Sequence, residues 1–211
     1  MKIYLINQYM NLGGPGEDRF YSAARLMSEA GHRPTILTLA GGPGQEGAGK
    51  NIAVLPNDQY TVIAFNIAYD PSMSVLAKAL SYRRFAQALK KQLPALPQPD
   101  LILAASPPLS VMIPVLDAAA RPETRLAVEI RELWPDAPIQ RGTLRGGPLI
   151  KMARNLEQRV YSEAQHILAG SRGIYEAIAA EGVNRSKLIH IPAGEPGPEQ
   201  AYRELLEAVK K

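Results

Sequence analysis

Charged groups and an aromatic ring crowd one short stretch, Arg125-Leu-Ala-Val-Glu-Ile-Arg-Glu-Leu-Trp-Pro-Asp-Ala-Pro138. Glu129, Arg131, Glu132 and Asp136 surround Trp134, the single tryptophan of the chain, with Pro135 and Pro138 stiffening the backbone. The stretch begins as a buried strand over Arg125–Ile130 and turns polar within two residues of its end. A charged, stiff connection at the carboxyl end of a strand is where open α/β sheets place their ligands. The plainer alternative is a surface loop with one ion pair and a tryptophan covering the core.

Two glycine-rich stretches carry the letters of phosphate-binding loops. Gly42-Pro-Gly-Gln-Glu-Gly47 fits G-x-G-x-x-G, and Gly44 to Lys50 fits the first part of a P-loop, with Asn51 where Ser or Thr would hold magnesium. Such loops work by opening a helix whose amino end receives the phosphate. Here Asn51-Ile-Ala-Val-Leu-Pro56 follows, which is β-like and ends in proline, so both matches read as accidental. Gly13-Gly-Pro-Gly16 is a poorer match in a better place, between the first strand and the first helix. Its backbone N–H groups could face an anion, or the glycines could serve only a tight turn. Ala40 closes the second strand where an acidic residue would grip an NAD ribose, so a dinucleotide is not expected.

Composition narrows the classes. The 211 residues are 46% hydrophobic and 21% charged, enough for a substantial core and unlike a disordered chain. A net charge of +4 is too weak to argue for nucleic acid. Cysteine is absent and histidine numbers 3, which removes disulfides and thiolate zinc and disfavours a histidine metal site; no metal or cofactor is expected. The amino terminus does not read as a signal peptide, and no apolar run approaches the ~20 residues of a membrane-spanning helix. A cytoplasmic protein is expected, with any membrane contact peripheral.

The elements that would position the charged stretch alternate. Strands are predicted over Ile3–Ile6, Thr35–Leu39, Tyr60–Ile67, Leu101–Ala105, Arg125–Ile130, His166–Ala169 and Lys187–Ile191. Helices are predicted between them: one bearing Phe20, Ala23, Ala24, Met27 and Ala30, one from Ser72 to Leu93, one opened by Pro107-Pro108, and others at Leu149–Ala164 and Arg172–Glu181. Val75, Ala79, Tyr82, Ala86, Leu89 and Leu93 recur at steps of four and three and predict the core face of the second helix. Unbroken apolar strands alternating with helices predict an α/β fold: one Rossmann-like, doubly wound, mostly parallel sheet of about seven strands covered on both faces. Beyond Ile191, Pro/Gly-rich residues 194–198 read as a linker, and 199–211 as a short charged helix docked back on the sheet domain through Tyr202, Leu205, Leu206 and Val209.

With these pieces in order, the chain resembles the amino-terminal domain of family 4 retaining glycosyltransferases of GT-B architecture, nearest to those that build bacterial surface polysaccharides such as lipopolysaccharide. The resembling residues are Gly13-Gly-Pro-Gly16, Gly31-His32 before Thr35-Ile-Leu-Thr38, Leu101-Ile-Leu-Ala-Ala-Ser-Pro-Pro108 and Glu129-Ile-Arg-Glu-Leu-Trp-Pro-Asp136. Leu156-Glu157 with Tyr161 and Ala164, Ala169-Gly-Ser171 and Ile189 to Pro192 complete the set, over residues 1–193. The resemblance implies an acceptor-side domain whose partner domain grips a nucleotide-sugar. It implies catalytic roles for Glu129, Glu132 and Asp136, acceptor contacts for Arg131, Trp134 and Ser106, and approach of Gly13 and Gly14 to the donor diphosphate. Glu132 stands where an aspartate is expected.

The family continues past the equivalent of Pro192 into a second, donor-binding domain, whereas here a linker leads to one helix. The expectation is therefore an acceptor half whose donor half is absent or supplied in trans, inactive by itself. A standalone sugar- or nucleotide-binding module of Rossmann type, without catalysis, is the alternative. The resemblance also implies a glycan acceptor carried on a lipid, at the inner membrane face. Arg83, Arg84, Lys90 and Lys91 share the outer face of the second helix with Leu76 and Leu80, a mixture suited either to anionic headgroups or to a solvated surface.

Overall fold

Residues 1–10, 18–40, 52–56, 58–192 and 197–210 are described by the computed structural model, the strand at 52–56 through its backbone alone. Gly13 and Gly14, both overlapping glycine motifs between Gly42 and Lys50, and linker residues 194–196 lie outside these.

Apolar runs become strands where both of their faces are covered. In chain order the elements are β1 (Lys2–Ile6), α1 (Arg19–Glu29), β2 (Arg33–Leu39), β3 (Ile52–Pro56), β4 (Thr61–Phe65) and α2 (Val75–Gln92). Then follow β5 (Leu101–Ser106), α3 (Met112–Ala119), β6 (Arg125–Ile130), α4 (Asp136–Gln140), α5 (Gly147–Glu163), β7 (His166–Ala169), α6 (Arg172–Ala180), β8 (Leu188–His190) and α7 (Gly197–Ala208). They form an 8-stranded sheet in the order β3-β4-β2-β1-β5-β6-β7-β8. Every strand runs parallel to its neighbours except β3, which is antiparallel to β4 at the edge. The expected doubly wound sheet is thus present, with an edge strand added where the sequence looked only β-like.

Alternation along the strands divides the core into two layers. Tyr4 and Ile6 face a layer built from α2, α3, α5 and α6. Ile3 and Leu5 face α1 and α7. The terminal helix docks as expected: Ala201, Tyr202, Leu205, Leu206 and Val209 are all buried. A 12-residue helix is marginal alone, but burying a Leu or similar side chain contributes roughly 1.5–3 kcal/mol, so packing decides its fold. It begins at Gly197, so the last two residues assigned to the linker belong to the helix.

The expected core stripe of α2 requires correction. Its buried side carries Ser81, Phe85 and Leu89, continuing to Leu93, while Val75 is 57% exposed and Ala79 is also exposed. Helical spacing finds apolar stripes but does not say which one meets the sheet, and here Phe85 competes successfully for that place. The stripe through Ala79, Tyr82 and Ala86 instead walls an open groove against α3.

Candidate functional site

The strand order reverses at β1: the chain adds β2 and β4 on one side, then returns to place β5 on the other. At such a reversal the connections on either side leave in opposite directions at the carboxyl edge of the sheet, the usual ligand position in such folds. The ends of β5, β6 and β7 stay in register, with Ser106 beside Ile130 and Ile130 beside Ala169. This brings Ser106, the Arg131–Trp134 turn and Gly170 to one rim. Gly170 is required there, since a Cβ would stand 3.0 Å from the Ile130 carbonyl oxygen and 3.3 Å from Arg131 Cα.

Glu129 is the single acidic residue of β6 and is 0% exposed. Its Oε1 accepts from Arg19 Nε at 2.7 Å and from Arg131 Nε at 2.5 Å, and its Oε2 accepts from the Tyr202 hydroxyl at 2.8 Å. Arg131 also donates from Nη1 and Nη2 to Asp18 at 2.5 and 3.1 Å, and its guanidinium lies 4.9 Å from the Phe20 ring centre. Asp18 in turn caps α1, accepting from the Phe20 backbone N–H at 2.9 Å. Arg19 and Arg131 thus balance Asp18 and Glu129, which is how such charges tolerate removal from water. Burial pulls the Arg131 pKa down, but the Glu129 and Asp18 carboxylates outweigh it and hold the cation firmly. Burial, reinforced by the Glu129 charge, pushes the Tyr202 phenol far above its ordinary value, so it remains a donor. The Arg19 and Arg131 side chains are 27% and 22% exposed, against 12% for Asp18 and 0% for Glu129, so the knot shows more of its positive side outward.

A second layer lies further out on the same turn. Arg141 at the end of α4 holds Glu132 in a two-pronged ion pair, and the Trp134 indole N–H donates to Glu132 at 3.0 Å. The Arg141 hydrogen bond, opposed by burial and assisted by Trp134, keeps the Glu132 carboxyl below its ordinary value. Asp136 starts α4 and pairs with Arg154 of α5, which also donates to Glu157 at 3.2 Å. Glu157 is 2% exposed and accepts from the Tyr161 hydroxyl at 3.1 Å. Burial, with the Glu181 charge, outweighs Arg154 and Tyr161 and raises the Glu157 carboxyl to about 7. Glu157 and Tyr161 line a small void of about 10 Å³ with Ser106, Glu132 and Trp134. Ser106 itself is buried at the floor of the rim.

The structure therefore brings Glu129, Arg131, Glu132, Trp134, Asp136 and Ser106 to the same edge, in two layers. Glu129 lies inside, engaged with Arg19, Arg131 and Tyr202 rather than facing solvent. Arg83, Arg84, Lys90 and Lys91 are exposed on α2, and Arg83 and Lys90 line a groove that Trp134 also lines. Arg172, at the start of α6, forms an ion pair with Glu176. Asp18, Arg19, Arg141, Arg154 and Tyr202 were not singled out from the sequence for this site. The one local signal was an acidic–basic pair, Asp18-Arg19, at the cap and first residue of the first helix.

Comparison with known proteins agrees with this fold. A glycosyl transferase 4-like domain family matches residues 14–194. No curated protein sequence matches the chain. Among solved structures, sucrose-phosphate synthase (tll1590) from Thermosynechococcus elongatus is 13% identical with a TM-score of 0.59, over 92% of this chain and 48% of that one. A shorter chain of that synthase, denoted 27_220_406_426, is 12% identical with a TM-score of 0.63, over 100% of this chain and 98% of that one. An E. coli structure described as trehalose-6-phosphate bound with UDP-2-fluoro glucose is 12% identical with a TM-score of 0.54, over 85% of this chain and 42% of that one. Identities this low show shared fold alone, and the chain spans about half the length of the longer structures. The family match covers most of the chain: it belongs to the glycosyl transferase 4-like domain family.

Proposed function

We propose that this chain is the acceptor-side half of a glycosyltransferase that moves a sugar from a nucleotide-sugar to a glycan acceptor carried on a lipid. The family match over residues 14–194, on a sheet whose carboxyl rim gathers the Arg19/Arg131 knot and the Glu132–Arg141–Trp134 turn, carries the reading. The solved relative bound with UDP-2-fluoro glucose supports the donor class. Glu132, held ionised by Arg141, and Asp136, held by Arg154, are the carboxylates nearest open solvent and suit acceptance of hydrogen bonds from sugar hydroxyls. Arg131, Trp134 and Ser106 complete the acceptor side. Glu129 acts through Arg131 and Arg19, fixing both guanidiniums at the rim. Gly13 and Gly14, which precede α1 in the sequence, are assigned to the donor diphosphate.

A donor held from one side only loses most of the benefit of group transfer, which comes from positioning and charge stabilisation. These 211 residues by themselves are therefore inactive, and a donor-binding domain in cis or trans completes the site. No helix among the described residues is long and apolar enough to cross a membrane. Contact with the inner membrane face is peripheral, through Arg83, Arg84, Lys90 and Lys91 with Leu76 and Leu80.

The test is transfer of labelled sugar from UDP- and GDP-sugars to a bacterial lipid extract. The chain alone is expected to stay at background, and addition of the donor-binding domain of a related glycosyltransferase, fused or mixed, to restore transfer. Turnover by the chain alone near an ordinary enzymatic rate of about 1 s⁻¹ or more contradicts the reading.

A further inference from the structure

Of the apolar stripe of α2 that the sequence marks as core, Ala79, Tyr82 and Ala86 stay outside the buried core layer, with Tyr82 set against the Tyr9 and Tyr69 rings. Ala79, Tyr82 and Ala86 form one wall of a groove of about 410 Å³, Leu109, Ile113 and Pro114 the other, and Trp134 stands with them in the lining. That volume lies within the ~300–1,000 Å³ of sites that enclose a small molecule. Apolar surface held open to water is unfavourable, and a contiguous patch of it marks a binding surface. Within the groove Ile113 is 48% exposed, and the patch extends beyond it through Leu80 at 44% and Leu76 at 79%.

What fills the groove follows from its walls and its ends. Its walls present carbon, so a bare sugar or sugar phosphate would leave hydroxyls without partners there. Along it α2 carries Lys78, Arg83, Arg84, Lys90 and Lys91 and no carboxylate, and none of these forms an ion pair with another described residue. Arg83 and Lys90 line the groove directly. The complement of apolar walls edged by unpaired cations is a hydrocarbon chain bearing an anionic group. The groove also has a direction. Trp134 lines it and donates to Glu132, so that part of the groove opens on the Glu132–Arg141 pair of the candidate site. From Tyr82 to Lys90 the helix advances about 12 Å away from that rim.

We propose that the groove between α2 and α3 holds the hydrocarbon tail of a lipid phosphate acceptor, with its phosphate at Arg83 and its sugar-bearing head at the Glu132–Arg141–Trp134 rim. The proposal rests on the acceptor-side reading above and adds where the lipid lies: in a groove of the protein, one chain deep, rather than in a bilayer beneath it. Small side chains at Ala79 and Ala86 leave the space open, and the charge of α2 selects an anionic lipid over a neutral one.

Trp134 supplies the measurement, because it is the only tryptophan and lines the groove. Dodecyl phosphate carrying bromine on its chain, kept below its micelle concentration, is expected to quench Trp134 fluorescence saturably. Unlabelled dodecyl phosphate should compete, whereas inorganic phosphate and dodecyl maltoside should compete at least about tenfold less well. Ala86→Phe, which fills the groove, and Ile113→Asp, at a position already exposed, should each weaken binding about tenfold or more with unchanged thermal unfolding. Arg83→Glu should remove the preference for the phosphate ester over the maltoside.

Absence of saturable quenching by the monomeric probe overturns the proposal. So does wild-type affinity in both groove variants. Quenching by vesicles of brominated phosphatidylglycerol without quenching by the monomer also overturns it, since the face then merely rests on a bilayer. The acceptor reading is tested separately with the donor domain supplied. Transfer to a tail-less sugar phosphate without tail binding would sink the groove alone, and tail binding without any transfer would sink the acceptor reading alone.

Discussion

Glu129 and Glu157 are both buried carboxylates on neighbouring elements, and the difference between them lies in their partners. Glu129 meets Arg19 and Arg131 together and gains a hydroxyl donor from Tyr202. Glu157 has only Arg154, which it shares with Asp136, and faces Tyr161 and the Glu181 charge as well. Its carboxyl is accordingly raised to about 7. A carboxyl whose pKa is higher folded than unfolded binds its proton more tightly in the folded state, so the fold gains most while it is protonated. Its contribution is complete at low pH and is lost as pH rises from the ordinary value of 4.5 to about 7. Glu157→Gln keeps the hydrogen-bonding shape without the charge. Between about pH 5 and about pH 8 the wild type is expected to lose roughly 1–2 kcal/mol relative to that variant, read from urea unfolding midpoints. Parallel pH profiles for the two proteins would show that Glu157 does not titrate in this window. Local sequence density pointed to Glu129, Arg131, Glu132 and Asp136, because they share one turn. It could not supply Arg19 or Asp18, which lie 110 and 113 residues from the groups they pair with.

Among the elements, α7 and α2 show how far periodicity reaches. The stripe of Tyr202, Leu205 and Leu206 on α7, continued by Val209 just past its end, was readable, and all four residues are buried. Unreadable was that the Tyr202 hydroxyl would end on Glu129, 73 residues away, tying the last helix to the candidate site. Tyr202→Phe keeps the ring against Phe20 and removes only the hydroxyl. It is expected to cost about 1–2 kcal/mol in urea unfolding, because a buried carboxylate loses a donor. Leu205→Ala, which opens a cavity without touching Glu129, should cost about 2–5 kcal/mol. A neutral Tyr202→Phe would separate α7 from the ion-pair knot. On α2 the same kind of stripe misled, since Val75, Ala79, Tyr82 and Ala86 repeat as regularly as Phe85 and Leu89 pack. A helix with two apolar sides can bury either, and only the sheet surface it meets selects one.

At the scale of the whole molecule, the sheet gathers chemistry at one edge and leaves the flank of α2 both cationic and apolar. The proposed membrane contact is a property of that flank, not of the modest net charge of +4. Sedimentation with vesicles containing phosphatidylglycerol should retain most of the protein at low salt and release it as salt rises above about 0.15 M, where surface charges are screened over about 8 Å. Exchanging Arg83, Arg84, Lys90 and Lys91 for glutamine should abolish retention. Binding that survives this exchange, or that is absent at low salt, removes the contact.

By itself the sequence determined the alternation of strands and helices, the doubly wound class, the docking of the last helix and the turn where charge concentrates. These follow from local rules: two-residue and 3.6-residue periods, chain breakers, and charged residues clustered at a strand end. Tertiary structure decided the rest. It buried Glu129 beneath its arginines, shared Arg154 between Asp136 and Glu157, brought Tyr202 to the site and chose which stripe of α2 would stay open. Each depends on which distant segment the fold sets alongside, and pairing across such separations leaves no period in the chain to read.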